Sequence, residues 1–125
     1  MIKLVFCLRR LPHLSREEFQ KYWLENHGPL VRKHAKAMRL KRYIQVHTTL
    51  DDTINDEMRT ARGGPEAYDG VAELWWESFE DLAAAYATPE AQKASEELLE
   101  DERRFIDLEQ SPLWFAQEHV IVDET

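Results

Sequence analysis

The order of strand and helix patterns predicts an α+β fold of the ferredoxin-like type, β-α-β-β-α-β. Its four-stranded antiparallel sheet is expected to carry helices on one face. Three observations lead there. Four segments have the alternation or β-rich composition of strands. Helical patterns opened by N-terminal capping signatures follow the first and third of these segments. All of this falls within 125 residues, a length that suits one hydrophobic core, so a single domain over residues 1–125 is expected.

Residues 2–9, IKLVFCLR, alternate with Ile2, Leu4, Phe6 and Leu8 on one face. Pro12 ends this strand. Ser15 and Glu18 form a capping box, in which the hydroxyl accepts the Glu18 N–H and the carboxylate reaches back. The helix should run to about Met38, with a kink or restart at Gly28-Pro29, because Pro29 has no N–H and disfavours helical geometry before it. Residues 40–49, LKRYIQVHTT, alternate Tyr43, Gln45 and His47 against Ile44 and Val46, giving strand two. Residues 50–67 have little periodicity and contain Gly63-Gly64-Pro65, which reads as a loop with one helical turn around Asn55–Arg62. Residues 68–77, YDGVAELWWE, form strand three. Ser78 opens a short helix through Tyr86. Thr88-Pro89 starts another, with proline in its favoured first position, running toward Phe105–Leu108. Ser111-Pro112 breaks the chain, and residues 113–122 give strand four.

Composition excludes several classes of partner. A formal net charge of −8, with no basic stripe, disfavours nucleic acid and anionic membrane surfaces. No apolar run approaches the roughly 18 residues of a membrane span. The N-terminal MIKLVFCLRR lacks a small-residue cleavage site, so a cytoplasmic protein is expected. A lone cysteine, Cys7, permits no internal disulfide, and no Cys/His spacing suits zinc. Gly-rich phosphate loops and GxSxG elbows are absent from the sequence, and no metal or cofactor is expected.

Both parities of the strands carry large apolar groups. Val71 and Trp75 share one face of strand three, Leu74 and Trp76 the other. Leaving two or three such side chains wet would forgo roughly 1.5–3 kcal/mol each. A second copy of the sheet on a two-fold axis is the simplest cover, which predicts a homodimer through the sheet faces.

Several side chains have the character of a small-molecule site. At about 100° per residue, Phe19, Trp23, His27, Leu30, His34 and Met38 fall within one inward stripe of the first helix. His27, at the Gly-Pro break, suits an acid or base beside a cavity, or a cap on freed carbonyls. Tyr22 and Trp23 can wall a flat ligand or simply fill the core. Tyr43 and His47 share a face of strand two and need hydrogen-bond partners there. Asp101 falls in the apolar stripe of the last helix, where burial would raise its pKa as a general acid requires. Alternatively the helix ends at Glu100 and Asp101 caps a short new turn.

The segments FQKYWLENHGPL (19–30), RYIQVH (42–47), YDGVAELWW (68–76), TPEAQKA (88–94) and LLEDERRFID (98–107) resemble, in that order, the EthD-like family of dimeric α/β-barrel proteins. The resemblance spans nearly the whole chain. It implies a ferredoxin-like fold whose two sheets pair face to face, and a cofactor-independent enzyme dehydrating or isomerising an aromatic or polyketide-like compound. His27 maps onto a histidine that related isomerases use at the end of the first helix. The cysteine those isomerases use has no counterpart, since Cys7 lies in strand one. On this reading His27 moves the proton, Tyr43, His47 or Asp101 completes the pair, and Tyr22, Trp23, His34 and Trp75 hold a small hydrophobic or aromatic ligand. A non-catalytic homodimeric binding or accessory protein, or a cofactor-free oxygenase of the same architecture, are the competing expectations.

Overall fold

A computed structural model describes residues 1–125. Strand β1 (Ile2–Leu8) leads to helix α1 (Arg16–Tyr22), a π-helical turn (Trp23–His27) and helix α2 (Gly28–His34). Strand β2 (Arg42–His47), helix α3 (Thr53–Arg62) and strand β3 (Gly70–Trp76) follow, then helices α4 (Phe79–Tyr86) and α5 (Pro89–Glu102), a short 3₁₀ turn and strand β4 (Leu113–Ala116). The strands form one sheet in the order β2-β3-β1-β4, antiparallel at every junction. This is the expected ferredoxin-like arrangement.

Local chemistry sets most boundaries. Ser15 accepts the Glu18 N–H at 3.0 Å and Glu18 returns a bond to the Ser15 N–H at 2.9 Å. Ser78 caps α4 and Thr88 caps α5, with Pro89 in the first turn.

Three elements depart from expectation. The first helix restarts at Gly28-Pro29 as expected, but through a π turn and only as far as His34. It widens into the π turn, where the Gly28 N–H bonds the Trp23 carbonyl, and continues as α2. A proline ring clashes with the carbonyl four residues back, and the wider turn moves that carbonyl aside. Residues 53–62 form a full ten-residue helix rather than one turn, closed by Gly63 at φ 67°. Strand β4 ends at Ala116, not residue 122. Its partner β1 begins at Ile2 and pairs Lys3 with Ala116, so in this register β1 runs out opposite Gln117 and cannot pair with residues out to 122.

The register assigns the two faces. Ile2, Leu4, Phe6 and Leu8 stand level with Trp76, Leu74, Ala72 and Gly70, and Tyr43, Gln45 and His47 with Leu74, Ala72 and Gly70. This face meets the helices in two clusters, one around Phe6, Phe19, Trp23 and Phe105, the other around Ile2, Val31, Trp76 and Leu98; Tyr43 and Leu74 touch both. Gly70 is required there, because a Cβ would sit 2.5 Å from the Trp23 indole and 2.9 Å from the Val46 carbonyl. The opposite face bears no helix. On it Trp75 is buried beneath Lys3 and Arg42 and donates to Glu118, while Val46 and Trp114 are exposed.

Candidate active site

His27, the last residue of the π turn, is only 5% exposed. Its Nδ1 lies 2.8 Å from Asp101 Oδ2, and Tyr22 donates its hydroxyl to the other Asp101 oxygen at 2.5 Å. Asp101 is within α5, buried in its last turn, so it is not the cap of a new helix. Nor does burial raise its pKa. Desolvation acts in that direction, but the bonds from Tyr22 and His27, with the charge of Arg104, hold the carboxylate below its ordinary range. An ionised Asp101 accepts only, which makes His27 Nδ1 the donor and leaves Nε2 with a free lone pair. Burial of the imidazole, opposed by Asp101, lowers its pKa and favours the neutral ring.

Glu102 completes this group. Its Oε2 is 3.9 Å from His27 Nε2. Burial, reinforced by the neighbouring Asp101 charge, pushes its pKa up to about 7. Two adjacent carboxyls of α5 thus take opposite states, one ionised behind the imidazole and one poised to hold a proton in front of it.

A second network fixes the protons of β2. Gln45 Nε2 donates to the Trp23 carbonyl and to Tyr43 Oη, both at 2.9 Å. The carbonyl can only accept, so the amide orientation is set and Gln45 Oε1 receives His47 Nε2–H at 2.7 Å. Tyr43 Oη also accepts the Trp23 indole N–H at 3.2 Å. With two donors on its oxygen, the Tyr43 hydroxyl has its own hydrogen left to give. Burial raises that phenol to about 12, so it acts as a donor and not as a phenolate.

Between sheet and helices lies a cavity of about 140 Å³ lined by Trp23, His27, Tyr43 and Glu102 among mostly apolar side chains. The structure therefore brings three of the expected site residues, His27, Tyr43 and Trp23, to one hollow. Asp101 and Tyr22 stand behind His27, with Tyr22 against Phe105. His47 stacks on the far side of the system, its ring 4.4 Å from Trp23, and lines a separate outer groove that shares Val31 and Tyr43 with the cavity. Two expectations fail on geometry. His34 bonds Glu97 at 2.6 Å and lines neither space, and Trp75 lies on the helix-free face. Glu102 and Gln45 escaped the sequence reading. Both carried a signal: Glu102 is four residues after Leu98 on the apolar stripe, and Gln45 alternates between Tyr43 and His47.

The four-stranded antiparallel sheet with helices on one face defines an α+β protein of ferredoxin-like fold. Residues 11–109 match the EthD domain, and the chain belongs to that family. No curated protein sequence matches it. Among solved structures it is similar to an EthD-family protein of Bacillus halodurans, with TM-score 0.60, 18% identity, and coverage of 95% of this chain and 100% of that one. An EthD-like protein of Ralstonia eutropha gives TM-score 0.59 at 16% identity, covering 99% and 97%. SnoaB of Streptomyces nogalater, a cofactor-independent oxygenase, gives TM-score 0.55 at 14% identity, covering 98% and 97%. At such identities the likeness concerns the fold.

Proposed function

We propose that the protein is a cytoplasmic, cofactor-independent enzyme that dehydrates, or by a shorter cycle isomerises, a small aromatic or polyketide-like carbonyl compound. The observation that carries this reading is the free Nε2 of His27 standing 3.9 Å from Glu102 on the cavity wall, with Asp101 fixing the ring from behind. His27 Nε2 takes a proton from the carbon next to the carbonyl, and the C–H electron pair forms the new C=C bond. Protonated Glu102 gives its proton to the departing hydroxyl as the C–O bond breaks, so water leaves. Tyr43 donates to the carbonyl oxygen, where negative charge gathers. Afterwards His27 holds the extra proton and Glu102 lacks one; transfer between them restores the starting state. In isomerisation His27 returns the proton to a different carbon and Glu102 is not consumed.

We further propose that the protein works as a homodimer through its helix-free sheet face. Val46 and Trp114 are 43% and 48% exposed there, and Val5, Ile44 and Val71 are half-buried beside them, an apolar surface of the kind that pairs.

The test is a panel of hydroxy-carbonyl ring compounds screened by mass spectrometry for loss of water, with His27→Gln and Glu102→Gln as controls. Turnover that falls at least a hundredfold in both variants, with folding intact, is expected. Turnover surviving His27→Gln would end the acid–base reading. Sedimentation of the wild type as a monomer at micromolar concentration would end the dimer.

A further inference from the structure

Two polar side chains that line the cavity, Tyr86 and Ser95, play no part in the chemistry above. Ser95 Oγ is buried and, alone among buried side-chain polar atoms, has no hydrogen-bond partner. A serine inside a helix ordinarily relieves its hydroxyl by bonding the carbonyl four residues back, here that of Ala91. No such bond forms. Alanine would suit the helix better and leave nothing unpaired, as at neighbouring Ala94. Ser95 also lines the same cavity as His27, Tyr43 and Glu102.

The helix explains how the two ends of the hollow are related. Ser95, Leu98 and Glu102 are spaced i, i+3, i+7 on α5 and all line the cavity. At about 1.5 Å per residue, Ser95 and Glu102 are separated by roughly 10 Å along the axis. An acid–base end and a hydroxyl end thus face one space across apolar walls that include Leu74, Trp76 and Leu98. The volume, about 140 Å³, sets the size of an occupant. An apolar cavity of about 150 Å³ can hold benzene, so this partly open hollow has room for a single ring.

We infer that Ser95 anchors the ligand: the cavity takes a single-ring compound that carries an oxygen function remote from its reacting carbon, and Ser95 Oγ hydrogen-bonds that oxygen. The inference rests on the cavity being the substrate site. It narrows the aromatic or polyketide-like class to monocycles on the volume of the hollow. Ser95 is a positioning residue, because it holds the ring without touching the reacting atoms.

Calorimetric titration of the full chain with phenol, toluene and 1-naphthol tests this, using wild type and Ser95→Ala. Wild type should bind phenol more tightly than toluene, and 1-naphthol at least tenfold more weakly than phenol. Ser95→Ala should lose about tenfold in phenol affinity while toluene binding stays unchanged and thermal stability does not fall. Phenol affinity that ignores Ser95 means that the hydroxyl is satisfied by water and overturns the anchor alone. 1-Naphthol bound as tightly as phenol overturns the single-ring limit. If neither phenol nor toluene binds wild type, the substrate-site reading falls and the anchor with it.

Discussion

Two histidine–carboxylate pairs join the first helical run to α5, one at His27–Asp101 and one at His34–Glu97, at 2.8 and 2.6 Å. The histidines are seven residues apart and the carboxylates four, so the pairs are successive rungs between antiparallel helices. Distance does not separate them; surroundings do. The side chains of the first pair are 7% and 8% exposed, those of the second 14% and 38%. Behind His27 stand Tyr22 and the Phe105 ring, in front a cavity and Glu102. Glu97 faces solvent, and its bond from His34 serves only to lower its pKa. Of the two histidines, only His27 lines a mostly apolar hollow that holds a second titratable group, Glu102.

Removing the inner rung should have the largest effect. His27→Ala leaves an ionised Asp101 buried without the donor on its Oδ2, and a loss of about 3–5 kcal/mol is expected. Urea denaturation measures it. His27→Gln, whose amide can still donate to Asp101, should recover part of the loss. If His34→Ala costs as much as His27→Ala, the distinction between the rungs is wrong.

A pH series sharpens the role of the second titratable group. Glu102 has a raised pKa in the folded protein, so the unfolded chain releases this proton first as pH rises. Its contribution is neutral below about pH 4, where both states hold the proton. It becomes destabilising between about pH 4 and the folded value near 7, and levels off above that. Glu102→Gln removes this cost and should exceed wild type in stability by up to about 3 kcal/mol at pH 8, with no difference at pH 4. Asp101 has the opposite sign: its depressed pKa contributes stability above the unfolded value that is lost as pH falls through the folded one, alike in both proteins. A difference between variant and wild type that does not change with pH would place Glu102 outside the cavity's electrostatics.

The floor of the inner site offers a further test. Gly70→Ala drives a methyl into the Trp23 indole and the Val46 carbonyl, and about 1–3 kcal/mol of destabilisation is expected from overpacking. Because Trp23 Nε1–H bonds Tyr43, the same change should shift tryptophan fluorescence and weaken phenol binding. Wild-type affinity in this variant would show that Trp23 does not hold Tyr43 in place.

Much of this was legible in the sequence because it is local. Ser15, Ser78 and Thr88 each reach an N–H three residues ahead, and β1 shows its buried face by alternation. The stripe carrying Trp23 and His27 was readable for the same reason. What could not be read depends on partners distant in the chain. The parity of β3 separates Trp75 from Trp76 without saying which of them the helices cover, and Trp75 falls on the face that bears no helix. Asp101 stood out as an acid through its place on the wheel, yet the bond from Tyr22, 79 residues away, helps hold it below its ordinary range, and Glu102 is the carboxyl that burial raises. The apolar stripe of α3 is only Ile54, Met58 and Ala61, and the helix buries none of its side chains, so no core-facing pattern set it apart from a loop.

The smallest effect is expected at the outer rung, where it tests most directly what the first helical run is for. His34 lies on the face of α2 toward α5, as the helical stripe predicted, but its partner is a solvent-facing carboxylate and no cavity opens beside it. Exposed ion pairs are weakened by water and by the freedom their side chains give up. His34→Ala should therefore shift the urea midpoint by a small fraction of the His27→Ala shift, and leave phenol affinity at its wild-type value. Raising salt should erase even that shift while the loss at His27 persists, since screening reaches charges at the surface far more than those in the interior. Reduced phenol binding in His34→Ala would extend the site along α2 to the outer rung, and the boundary drawn between His27 and His34 would have to move.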